Sequence, residues 1–282
     1  MSRKYYANRT GKNPEASRYE LPRFVELFKA VYLDFLKNDY FYENSGDVPG
    51  KLGSDIEAQM FIKLKKPDLW PIEEKCNNYS EDDLFDVIEF LYDRVSQPIH
   101  GYDEWSNHGD SYDTFDRETG KQEFRDSMNQ LLRDYREGYE LSENGEILES
   151  PEQGLEELVI EKLPPHAPEN VEQRVESAIL KFRRSRSSLD GKRDAIRDLA
   201  DVLEFLRDQN KELKLNATEG ALFNMAKDNL FIIANKYGIR HHNKNQHQDY
   251  DKAIWYNWMF YDSLATIHAW VRLIKKAESQ SP

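Results

Sequence analysis

Four stretches after residue 170 place apolar side chains at helical spacing, each bounded by residues that start or stop helices. Val171, Val175, Ala178, Ile179 and Phe182 form the first stretch. Ile196, Leu199, Ala200, Leu203 and Leu206 form the second, with Asp190 placed to cap it. The third holds Leu222, Met225, Ala226, Leu230, Ile233, Ala234 and Tyr237, with Thr218 as its cap and Gly238 where a left-handed C-terminal cap belongs. The fourth carries Ile254, Trp258, Tyr261, Ala265, His268 and Val271, and Asp249 or Asp251 can cap it. Helices patterned in this way bury their apolar faces against one another, so residues 171–282 are expected to form a four-helix domain.

The upstream half is helical too. Phe24, Leu27, Phe28, Val31, Tyr32, Phe35 and Leu36 keep one helical face apolar between Pro22 and Lys37. A second helix should start at Ser80, with Glu81, Asp82 and Asp83 in its first turn and Leu84, Val87, Ile88, Leu91 and Val95 on one face. A third is expected from about Lys121 to Arg136 through Phe124, Met128, Leu131, Leu132 and Tyr135. Ile56, Met60, Ile62 and Leu64 suggest a shorter element after a loop over 38–53. Asn144-Gly145 within the run YELSENGEIL is a hairpin signal. Residues 100–120 are rich in carboxylates without the fixed spacing of a calcium loop, so a solvated acidic loop is expected there. The fold class is therefore mostly α, with a small β-hairpin in the N-terminal domain.

A length of 282 residues suits two domains. Residues 142–161 hold seven acidic side chains and no basic one, and Pro164, Pro165 and Pro168 follow. The expected division is a basic flexible arm over 1–18, a domain over 19–163, a Pro-rich linker over 164–170 and a domain over 171–282. The arm belongs to a basic run reaching Arg23, with Tyr5, Tyr6 and Tyr19 interleaved; it suits phosphate contacts and base stacking, and equally a solvated terminus. The single cysteine, Cys76, excludes an internal disulfide. No apolar run approaches the roughly 20 residues of a membrane span and no signal peptide is visible, so a cytoplasmic protein is expected, with no membrane partner. The net charge of −13 opposes long-range attraction to a polyanion, so any nucleic-acid contact has to be local.

Chemistry concentrates between the third and fourth C-terminal helices, in residues 235–250, NKYGIRHHNKNQHQDY. A solvated interhelical loop accounts for this composition. His241, His242, His247, Asp249 and Asp251 include zinc or nickel ligand types, yet adjacent histidines usually point apart and no HExxH or paired-cysteine motif is present. No metal or other cofactor is therefore expected. The densest basic patch, Lys181, Arg183, Arg184, Arg186, Lys192 and Arg193, suits either a charged helix end or RNA-backbone contact.

Arg240, a polar residue, and His247 after six intervening positions, at the junction of the last two long helices, resemble the motif of HEPN domains, the higher eukaryotes and prokaryotes nucleotide-binding type. The resemblance implies a C-terminal four-helix HEPN-like bundle that dimerises and cleaves RNA without metal. Arg240 and His247 would then be catalytic, and His241, Asn243 and Lys244 would orient loop or phosphate. Arg183, Arg184 and Arg186 would contact the substrate backbone. Some HEPN toxins are modified on a tyrosine two residues after the histidine; here Tyr250 is three after it.

SEDDLFDVIEFLYDRVSQP and LLRDYREGYELSENGEI, within a span from Tyr19 to Leu163, resemble the domain ahead of HEPN in AbiJ-like abortive-infection proteins, which implies a sensing or partner-binding role. The expected function is a metal-independent endoribonuclease of a phage-defence or toxin system, using RNA as partner and a homodimer as working unit. A non-catalytic RNA- or nucleotide-binding module is the alternative, as is a toxin subunit held by an antitoxin or sensor protein. Trp255, Tyr256, Trp258, Phe260, Tyr261 and Trp270 exceed what one helix face can bury, so they are expected to pack beneath the N-terminal domain or to join two copies. His268, among apolar neighbours, reads as structural.

Overall fold

The computed structural model describes residues 18–44, 56–102, 111–163, 170–184, 188–210, 216–239, 247 and 249–279. The chain is mostly helical, with two small antiparallel β-ribbons, and divides into compact units at Ser150/Pro151. No helix among the described residues is long and apolar enough to cross a membrane.

In the first unit, α1 (Leu21–Lys37) starts with a proline in its first turn, where a missing N–H costs nothing. Its spacing turns Phe24, Phe28, Tyr32 and Phe35 inward. A short helix, α2 (Ile56–Leu64), buries Ile56 and Met60, and a single turn, α3 (Ile72–Lys75), buries Ile72. Then α4 (Glu81–Tyr92) begins with a capping box: the Ser80 hydroxyl accepts from the Asp83 N–H while the Asp83 carboxylate accepts from the Ser80 N–H. Leu84, Val87, Ile88 and Leu91 line its inner face. Strands β1 (Gln97–Tyr102) and β2 (Ser111–Asp116) pair antiparallel, with Pro98 opposite Phe115. Asp116 caps α5 (Arg117–Leu132), whose Phe124, Met128 and Leu132 complete the core. The second ribbon joins β3 (Tyr139–Leu141) to β4 (Ile147–Glu149), turning at Gly145 with φ +82°.

Two expectations change here. The acidic region over 100–120 is not simply loop, because its two ends form β1 and β2, and α5 begins at Arg117 rather than near Lys121. Tyr19 is not available for stacking on bases. Its ring lies against Phe24 and Tyr135, its hydroxyl donates to the Leu131 carbonyl, and its backbone bridges to Tyr135. Residues 1–17 lie outside the described residues.

The second unit begins before the expected boundary. Within it α6 (Glu156–Ile160) sends Val159 into the unit's core, joined by Leu163. The four expected long helices follow: α7 (Val171–Arg183), α8 (Leu189–Asn210), α9 (Ala217–Lys236) and α10 (Lys252–Glu278). Two of their caps sit slightly upstream of the expected residues. Ser188, not Asp190, accepts from the Gly191 N–H at 3.1 Å, and Asn216, not Thr218, accepts from the Thr218 and Glu219 N–H groups. α8 packs against both α7 and α10, and Phe182 stacks on Phe260 at 3.8 Å between ring centroids. Such buried aromatic and aliphatic side chains each contribute about 1.5–3 kcal/mol. α9 is held less closely, burying Phe223 and Ala234 while leaving Leu222, Met225 and Ile232 exposed.

Candidate functional site

The α9–α10 junction is built by two helix ends facing the same segment. Lys236 ends α9, Gly238 takes the left-handed conformation at φ +74°, and Ile239 turns into the core. On the other side the Asp251 carboxylate accepts from the Ala253 and Ile254 N–H groups and so caps α10. Between them the His247 backbone N–H donates to the Lys236 carbonyl at 3.0 Å. The His247 side chain stays exposed and leans on Tyr237, with ring centroids 5.4 Å apart.

Tyr250 secures the other end of the segment. Its hydroxyl donates to the Tyr237 carbonyl at 2.8 Å, and its ring meets Tyr237 and Tyr256 edge-on. Burial first, then hydrogen bonding with Tyr256, holds the phenol well above the usual tyrosine range. Tyr250, three residues after His247 rather than the two of modified HEPN toxins, serves as a clamp with its hydroxyl engaged. Arg240, His241, Asn243 and Lys244 lie outside the described residues.

Local pairing absorbs much of the basic patch. Arg183 is only 7 % exposed, and Arg184 is exposed. Lys181 pairs with Asp198, Arg193 with Asp190 at 3.2 Å, and Lys192 sits 5.2 Å above the Phe182 ring. Arg186 lies outside the described residues. Among the described residues no cluster of His, Cys, Asp or Glu is arranged to hold a metal ion.

His268 is buried, 5 % exposed, in keeping with the structural role expected of it; it is hydrogen-bonded to the Leu158 backbone, and burial lowers its pKa below the ordinary histidine value. The α10 aromatics divide differently from expectation. Tyr256, Phe260, Tyr261 and Trp270 are buried in the second unit's own core, while Trp255 and Trp258 remain 46 % and 44 % exposed. These two tryptophans, with Tyr237 and Tyr250, frame an apolar cleft of about 240 Å³ beside the junction. Sequence reasoning missed this cleft, because helical periodicity places Trp258 on the packed face without showing how loosely α9 covers it.

No protein-family model, curated protein or solved structure matches this chain.

Proposed function

We propose that the chain is a metal-independent endoribonuclease acting at the α9–α10 junction, with Arg240 and His247 as its catalytic pair. The observation that carries this reading is His247 itself: an exposed imidazole whose backbone is fastened to the last turn of α9. It stands between the last two long helices, where the HEPN resemblance requires a histidine.

A histidine can exchange protons near neutral pH, either taking one from a ribose 2′-hydroxyl or giving one to the departing 5′-oxygen. The 2′-oxygen bonds to phosphorus as the bond to the 5′-oxygen breaks, leaving a 2′,3′-cyclic phosphate and a 5′-hydroxyl. One imidazole cannot easily perform both transfers at once, so the second comes from a second copy of the chain. Arg240 offers the phosphorane a planar fork of donors. Arg184 lies exposed at the end of α7, whereas Arg183 is a poor substrate contact because it is buried.

In this reading the first unit senses a partner, and the activity serves phage defence or a toxin system. Incubation with mixed RNA in the presence of EDTA, followed by a denaturing gel, tests it: cleavage supports the enzyme, and intact RNA opposes it. A binding module without cleavage is the second reading.

A further inference from the structure

The cleft beside the junction adjoins a second, narrower cavity: both are lined by Ile233, Trp258 and Met259. The inner cavity, about 20 Å³, has room for one water-sized group. Apolar side chains dominate its wall, among them Ile196, Leu203 and Ala234, and the exception is Asp262 with its neighbour Ser263. The Ser263 hydroxyl is already committed, donating to the Met259 carbonyl at 2.7 Å. No described cation pairs with the Asp262 carboxylate, and burial raises its pKa above the ordinary carboxylate range. A carboxylate in such surroundings is stabilised by a cation that brings its own apolar body.

We infer that this double cavity is a binding site for a primary alkyl- or arylalkylammonium ion. The ammonium is the size of the inner cavity and meets Asp262. The hydrocarbon part lies in the outer cleft, against Trp255, Trp258 and Tyr237, where aromatic faces attract the positive end as well as the chain. Trp258 and Asp262 are four residues apart on α10, so one helix face presents both the ring and the counter-charge. This site stands apart from the ribonuclease reading, since it needs neither Arg240 nor His247.

The test uses n-hexylammonium and its neutral counterpart n-hexanol as probes. Each is titrated into the full chain while the indole N–H resonances of Trp255 and Trp258 are followed, assigned from Trp255→Phe and Trp258→Phe. Saturable shifts with the ammonium, at least about tenfold tighter than with the alcohol, are expected. Asp262→Asn should remove that preference while leaving the weaker alcohol binding in place. Equal affinity for both probes in the unaltered chain would overturn the inference, as would shifts that never saturate. An unchanged preference in a folded Asp262→Asn chain would do the same.

Discussion

The backbone N–H of His247 donates to the carbonyl oxygen of Lys236 at 3.0 Å, which ties the residue proposed as proton-transfer group to the end of α9. The bond uses only the main chain and leaves the imidazole exposed. Position and reactivity are thereby separated: changing the side chain leaves the tether intact.

Tyr250 supplies the complementary restraint. Tyr250→Phe deletes the hydrogen bond to the Tyr237 carbonyl and should lower stability by about 1 kcal/mol in urea unfolding. If the hydroxyl were dispensable, the midpoint would not move.

Gly145→Ala should be more costly. At φ +82° an added Cβ would stand 2.5 Å from the Tyr92 ring, and the Tyr92 hydroxyl donates to the Glu143 carbonyl in the same turn. Backbone strain and the clash together should cost roughly 2–4 kcal/mol, read as a shifted unfolding midpoint. A neutral substitution would mean that the turn relaxes freely.

How much of this was legible in the sequence differs by element. The four C-terminal helices and the Asn144-Gly145 hairpin were, because periodicity and turn chemistry are local signals. The β1–β2 ribbon was not: Pro98 and Gly101 interrupt any alternation, and its register is irregular around His100. Two caps fell two residues upstream of expectation because Ser188 and Asn216 compete with nearby Asp190 and Thr218 for the same role. The α10 aromatics misled because α10 meets both α6 and α8, so more than one of its faces is covered. The cleft and Asp262 depend on the looseness of α9, which no periodicity reports.

The boundary at Ser150/Pro151 makes α6 part of the second unit. A fragment 151–282 should therefore be more stable than 164–282, which loses the burial of Val159 and Leu163 and the Leu158 partner of His268. The difference should be several kcal/mol, on the order of 3–5. Equal melting temperatures would return α6 to the first domain, within the expected span 19–163.

Alkaline pH should weaken the first unit. Burial pushes Tyr19 and Tyr139 up to about 12, from an ordinary value of 10.0. A raised tyrosine pKa favours the folded state while the phenol is protonated. That stability is fully present below pH 10 and is lost as pH rises toward 12. Unfolding followed between pH 9 and 12 should show falling stability, and a flat profile would contradict the burial of these phenols.

The central claim, cleavage by the RNA's own 2′-hydroxyl at the α9–α10 junction, is tested most directly with one labelled RNA and its copy carrying a single 2′-deoxy sugar at the cut site. The unaltered chain in EDTA should cut the first to a 2′,3′-cyclic phosphate and leave the second intact. His247→Ala should retain its helical circular dichroism while cutting the first at least about 100-fold more slowly. Cleavage of the deoxy copy, or a fully active His247→Ala chain, would contradict the account.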